Sequence, residues 1–243
     1  MGKVVIVTGA GRGIGAATSK LLAAKGYRVC VNYRSNAQSA AAIVDEITTS
    51  GGKAFSFQAD VSNESDVIAL FDATERAFGP VTHLVNNAGI LFPQTTLADI
   101  DVARFNEVMM SNVTSCFLCS REYIRRAEST GSIVNVSSAA SRSGAPFEYI
   151  DYAASKGAMD SLTKGLSLEL APKGIRVNSV RPGFIYTSMH ADGGEPDRVA
   201  RLAPQIPLQR GGTPDEVANA IVWLLSDEAS YVTGAFIDLA GGK

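Results

Sequence analysis

The strongest constraint on how this chain can fold is an alternation that runs from end to end. Short runs rich in valine and isoleucine are separated by segments with helical periodicity. Runs that are apolar at nearly every position suit strands buried on both faces, and such strands occur in parallel sheets whose crossovers are helices. The runs at 4–7, 28–32, 54–58, 82–85, 132–136, 176–180 and 235–239 are expected as seven strands. The implied architecture is a doubly wound, Rossmann-like α/β fold, a seven-stranded parallel sheet with helices on both faces. Local signals agree. Ser62-Asn63-Glu64 opens one helix and Gly79-Pro80 closes it, while Thr213-Pro214-Asp215-Glu216 sets an N-cap, an N1 proline and early acids before another.

At 243 residues, with no internal repeat and no divisive linker, the chain is expected to be one dinucleotide-binding and catalytic domain spanning 1–243. Hydrophobic residues make up 46% and charged residues 19%, enough for a core and too little charge for disorder. A net charge of −2 argues against nucleic-acid and membrane partners and leaves a small-molecule substrate. No run of eighteen apolar residues occurs, and the opening Met1-Gly2-Lys3 with its short apolar run is a poor signal peptide, so a cytoplasmic protein is expected. Cys116 and Cys119 form a Cys-x-x-Cys, but without a second cysteine or histidine pair they read as helix packing. His83 and His190 lack companions as metal ligands, and no metal is expected; His190 is a candidate substrate contact. The irregular segment at about 187–213 follows the sixth strand, at the sheet edge where open α/β sheets bind ligands, and is expected to be a substrate loop.

The first strand runs into Thr8-Gly9-Ala10-Gly11-Arg12-Gly13-Ile14-Gly15 and then a helix. Strand, glycine-rich turn and helix N-terminus together suit a pyrophosphate, since missing side chains let it reach backbone N–H groups at the positive end of the helix dipole. An acid at the end of the second strand would hold ribose hydroxyls and favour NAD. Here stand Asn32, Tyr33, Arg34 and Ser35. Arg34 and Arg12 are positioned to meet a 2′-phosphate, so NADP(H) is expected in preference, with NAD(H) as the alternative.

The spacing Thr-Gly-x-x-x-Gly-x-Gly resembles that of the short-chain dehydrogenase/reductase family, whose other motifs follow in order. They are Asn86-Asn87-Ala88-Gly89, a lone Asn112, Ser138, Tyr152 with Lys156, and Pro182-Gly183. The resemblance covers nearly the whole chain and is similar both to 3-oxoacyl acyl-carrier-protein reductases and to glucose 1-dehydrogenase-like members. It implies hydride transfer between a nicotinamide and a carbonyl or secondary alcohol. Tyr152 would be the general acid/base, Lys156 its partner and a ribose ligand, Ser138 a donor to the substrate oxygen, and Asn112 a helix-bending residue holding a relay water. It further implies Asp60 and Val61 at the adenine, Asn87, Ala88 and Gly89 on the adenosine ribose side, and Ile185 and Thr187 at the carboxamide. Relatives of this type are tetramers, and 113–125 with 234–243 suit such interfaces, so a homotetramer is expected.

Chemistry supports the same pair independently. Reduction leaves charge on oxygen, which needs an acid there, and the reverse needs a base. Tyr152 and Lys156, four apart on a helix, share a face, and the ammonium is expected to depress the phenol's pKa. Ser137 is the rival of Ser138. The interval from Ser138 to Tyr152 is one residue longer than the family pattern, an insertion within 146–151 expected to line the substrate cleft. A catalytically silent NADP(H)-sensing or scaffold protein is the competing class, disfavoured because the whole catalytic group is present. Sugar dehydrogenase and thioester reductase stay open; an acidic carrier needs a basic rim, for which Arg125, Arg126 and Lys173 are modest candidates.

Overall fold

Each strand turns alternate side chains to opposite faces, and both faces find an apolar layer to cover them. The computed structural model describes residues 2–128 and 130–243. In chain order its elements are β1 (Val4–Val7), α1 (Gly13–Ala24), β2 (Arg28–Tyr33), α2 (Ala37–Thr49), β3 (Lys53–Gln58), α3 (Glu64–Phe78), β4 (His83–Asn86), α4 (Val102–Met109) and α5 (Ser115–Arg126). There follow β5 (Gly131–Val136), α6 (Ala140–Ser143), α7 (Ile150–Leu170), β6 (Ile175–Pro182), α8 (Met189–Asp192), α9 (Arg198–Leu202), α10 (Pro214–Leu225) and β7 (Phe236–Leu239). All neighbouring strands pair in parallel, in the order β3-β2-β1-β4-β5-β6-β7. The expected strands are all present. β6 runs two residues further than its apolar run, because Arg181 and Pro182 stay in register with Asp238 and Leu239 of β7.

Val5, Val7, Val31, Val134 and Val180 face one core, filled by Leu22 of α1, Ile43 of α2 and Ile221 of α10. Val4, Ile6, Leu84, Ile133 and Val177 face the other, filled by Leu70 and Phe71 of α3, Leu118 and Tyr123 of α5 and Leu170 of α7. Helix ends follow the caps in the sequence. Asn63 accepts from the backbone N–H groups of Ser65 and Asp66, Gly79 ends α3 at φ 88°, and Thr213 with Glu216 forms a complete capping box. Cys116 and Cys119 lie buried in α5, where burial pushes both thiols up, Cys116 to about 12. No helix among the described residues is long and apolar enough to cross a membrane.

The strand order reverses between β1 and β4, and the loops leaving their carboxyl ends part there. Thr8 stitches the two. Its hydroxyl accepts from the N–H groups of Asn87 and Ala88 at 2.9 Å each, and the Asn87 amide donates to the carbonyls of Thr8 and Gly9. The loops approach so closely that a Cβ on Gly9, itself at φ +61°, would lie 3.0 Å from the Cα of Ala88. The segment 187–213 carries the short helices α8 and α9 and folds across this edge. It is anchored by pairs from Arg12 to Asp192 and from Arg198 to Glu148.

Candidate active site

Two adjoining cavities occupy the sheet's carboxyl edge. The first, about 420 Å³, is lined by Gly9, Gly11, Arg12, Gly13 and Ile14 of the glycine turn, Tyr33 and Arg34 after β2, Asp60 and Val61 after β3, Asn87, Ala88 and Gly89 after β4, and Thr187. The second, about 640 Å³, contains Ser138, Tyr152, Lys156, Pro182, Gly183 and Ile185, and shares Ile14, Asn87, Gly89 and Thr187 with the first. The sequence-predicted residues thus converge from seven separate segments. Gly15 and Asn112 border neither cavity. Gly15 lies beneath the turn, where a Cβ would lie 2.6 Å from the Asn87 amide nitrogen.

The glycine-lined cradle fits a dinucleotide. It joins a side-chain-free turn at the start of α1 to polar walls from three successive loops. Arg34 is exposed and has no ion-pair partner among the described residues, so its guanidinium is available to an anion. Arg12 is differently placed. It donates to Ser188 Oγ at 3.1 Å and pairs with Asp192, which ties the glycine turn to α8.

Helix α7 presents the catalytic candidates. It begins at Ile150, so that Tyr152 and Lys156 both lie within it, and its first turn is held from outside. Asp151, 1% exposed, takes the Arg104 guanidinium of α4 at 2.7 Å and accepts from the Tyr152 N–H at 2.9 Å. A carboxylate there also suits the positive end of the helix. One turn on, Lys156 is buried and its Nζ donates to the Val136 carbonyl at 2.8 Å. That Nζ lies 5.5 Å from the centre of the Tyr152 ring. Helix α7 therefore brings the two side chains together as its four-residue spacing requires.

The expected electrostatics need correction. Burial pushes the Tyr152 phenol up to about 12, against a hydrogen bond with Ser138 that pulls the other way. The ammonium expected to lower it does not prevail over the burial of the phenol itself, and burial also brings Lys156 down to about 8. In a dry pocket burial outweighs the proximity of opposite charges. With burial dominant, Tyr152 is a neutral phenol across the physiological range.

The two serines after β5 are separated by geometry. Ser137 is buried and donates to the Lys156 main-chain carbonyl at 3.2 Å. Ser138 is more open, and its Oγ accepts from Ala140 N–H at 3.1 Å, which leaves the hydroxyl near the Tyr152 phenol. Asn112 occupies a π turn, Met110–Thr114, between α4 and α5. Its Oδ1 accepts from Ile90 N–H at 2.7 Å, and its Nδ2 donates to Ile90 O and Ser155 Oγ. Gly89 lies between Asn112 and Lys156; a Cβ there would be 3.2 Å from Asn112 Oδ1 and 3.4 Å from Lys156 Nζ.

His190 lines the second cavity with Nε2 at 3.0 Å from the Ile185 carbonyl, and burial lowers its pKa. Arg125, Arg126 and Lys173 line neither cavity, and Arg126 is paired with Asp72, Glu75 and Glu122. Pro146, Glu148 and Tyr149 of the expected insertion line the second cavity, as does Arg198 of the 187–213 segment, whereas Arg142 and Phe184 are wall residues that sequence reasoning missed.

The family model described as enoyl-(acyl carrier protein) reductase matches residues 9–243. An uncharacterized oxidoreductase of Escherichia coli (strain K12), YgfF, is 60% identical over 245 residues, covering 99% of each chain. Glucose 1-dehydrogenase 2 of Bacillus subtilis (strain 168) is 36% identical, covering 99% of this chain and 94% of the relative. A solved dehydrogenase/reductase from Sinorhizobium meliloti 1021 superposes with a TM-score of 0.93 at 35% identity, covering 99% of this chain and 94% of that one. With its all-parallel sheet and its motifs in order, the chain belongs to the short-chain dehydrogenase/reductase family, the NAD(P)-dependent oxidoreductases that act on CH–OH groups.

Proposed function

We propose that this protein is an NADP(H)-dependent carbonyl reductase or alcohol dehydrogenase in which Tyr152, Lys156 and Ser138 handle the substrate oxygen. One observation carries this reading: those three residues line a single cavity that shares Ile14, Asn87, Gly89 and Thr187 with the glycine-lined cradle. When bound, the nicotinamide supplies or accepts the hydride. Tyr152, neutral and partly buried, donates its phenolic proton to the oxygen that gains charge, and Ser138 donates a second hydrogen bond to it. In oxidation the phenol must first lose its proton, which the Lys156 ammonium beside it favours. Gly11, Gly13 and their neighbours hold the pyrophosphate, with Asp60 and Val61 at the adenine, Asn87 to Gly89 at its ribose, and Ile185 and Thr187 at the carboxamide. Asn112 holds the loop after β4 against α7, beside Lys156.

Arg34 gives the preference for NADP(H), since an unpaired guanidinium suits a 2′-phosphate and no acid stands at the end of β2 to hold a ribose diol. The test is absorbance of the reduced nicotinamide with a panel of carbonyl compounds and both cofactors. We expect turnover with NADPH well above that with NADH, and Arg34→Ala lowering the NADPH-to-NADH ratio of kcat/KM by about tenfold or more. Equal or better turnover with NADH rejects the preference; tight NADPH binding without turnover on any compound rejects the enzyme.

A cytoplasmic setting agrees with three buried free thiols. The chain assembles as a homotetramer, one interface formed by α5 and α7. Their outer faces form an apolar groove lined by Val113, Phe117, Leu162 and Leu166, and Phe117 is exposed. Light scattering is expected to give four times the 25.5 kDa chain mass, and Phe117→Asp to lower it. A monomeric mass for the unmodified protein overturns this.

A further inference from the structure

Tyr149 stands three residues before Tyr152, as the N-cap of α7, and its side chain is 5% exposed. Its hydroxyl is buried and has no hydrogen-bond partner, which folded proteins seldom tolerate in a phenol. The residue lines the substrate cavity beside Tyr152. Its ring belongs to a small apolar cluster with Leu91, Ala140, Ala145 and Ala153, against which Tyr152 also packs. The hydroxyl reaches towards the folded-over segment after β6, since a Cβ on Gly193 would lie only 3.1 Å from it.

The backbone that delivers Tyr149 is built for the purpose. Ala145 and Phe147 flank Pro146 with φ of 43° and 65°, conformations that side chains other than glycine rarely adopt. Tyr149 N–H closes the turn on the Ala145 carbonyl at 3.0 Å, and Thr95 N–H bonds the Glu148 carbonyl at 3.1 Å. This is the segment one residue longer than the family spacing. Two of the charged groups here are matched, since Arg198 lies over the Tyr149 ring and pairs with Glu148 and Glu195 and Arg142 pairs with Asp238, while Lys243, over the Phe184 ring, has no ion pair among the described residues. The unmet demand at the phenol itself is a hydrogen bond.

We infer that Tyr149 is a specificity-determining residue whose hydroxyl binds a second oxygen of the substrate, so that the site selects carbonyl compounds bearing a further carbonyl or hydroxyl close to the reacting carbon. A phenol both donates and accepts, so either group satisfies it. Because the Tyr149 and Tyr152 rings pack in one cluster, the second oxygen belongs near the reacting carbon. The inference rests on the carbonyl-reductase reading above and names its substrate class.

The test compares unmodified protein with Tyr149→Phe, which keeps the ring and its packing and removes only an unpartnered hydroxyl, so folding is not at risk. With NADPH, kcat/KM is measured for diacetyl against butanone and for ethyl acetoacetate against heptan-2-one. Taking the ratio within each pair, and then between proteins, cancels the greater intrinsic reactivity of the difunctional compounds. The expected result is a fall of about tenfold in that ratio for at least one pair, carried mainly by KM, because the bond is made in the bound ground state as well as the transition state. An unchanged ratio for both pairs, with turnover of the monoketones intact, overturns this inference and leaves the carbonyl-reductase reading standing. Tight NADPH binding by the unmodified protein with no turnover of any of the four compounds overturns both.

Discussion

Tyr152→Phe is expected to lower kcat for carbonyl reduction by about 10²–10⁴-fold, the range in which a positioned proton donor acts, while NADPH binding changes little. The substitution removes one oxygen and leaves a ring packed against the cluster of Leu91, Ala140 and Tyr149. What remains, Ser138 alone at the substrate oxygen, polarises it without delivering a proton. The pH dependence has a definite sign. Burial holds the phenol at about 12, so at neutral pH Tyr152 is already in the form that reduction requires. Oxidation requires the phenolate, and its rate rises as pH climbs from neutrality towards the alkaline range. Stopped-flow absorbance of the reduced nicotinamide in both directions checks this, with NADPH affinity measured separately by fluorescence. Undiminished reduction in Tyr152→Phe, or oxidation that slows with rising pH in the unmodified protein, removes the proton-transfer role.

The sheet was legible because its signal is local and repeated. Val4 to Val7 reads as a buried strand from four letters, and alternate side chains need only the helices that follow to close both cores. The glycine turn and the Tyr152–Lys156 spacing were legible for a related reason: each places its groups within one turn of one element. What was illegible depends on contacts between distant segments. The orphaned hydroxyl of Tyr149 exists only once Leu91 and Gly193 have closed over it, and nothing in 145–149 announces that. Arg12 looked free for a phosphate, yet Asp192, 180 residues further on, folds back to meet it. The π turn at Asn112 arises where the chain must bring that amide to Ile90 and Ser155 at once. The phenol's raised pKa is illegible in the sequence, because spacing shows charge proximity whereas burial depends on the whole cavity wall.

Lys156→Met is the substitution in which function and stability part company. Lys156 is 3% exposed, and its buried cation is answered chiefly by one carbonyl, that of Val136. Burial lowers its pKa to about 8, which means that the folded protein disfavours the charged form. Between that value and the unfolded lysine value near 10.4 the unfolded chain binds the extra proton, so stability rises with pH across this window. Below about 8 both states are protonated and the full penalty applies; above the unfolded value it is gone. Methionine has a similar shape and no charge, so at neutral pH Lys156→Met is expected to stabilise the cofactor-free protein by ~1–3 kcal/mol, the unpaired Val136 carbonyl offsetting part of the gain. The advantage shrinks as pH is raised from 8 towards 10.4. Turnover falls at the same time by about a hundredfold or more, since the phenol loses the cation that favours its ionised form. Denaturant unfolding of both proteins at neutral and alkaline pH, beside kcat, makes the measurement. A variant less stable than the parent at neutral pH, or a stability difference that does not change with pH, shows that the ammonium is structural cement; the opposite pattern marks a residue that the fold tolerates for the sake of the reaction.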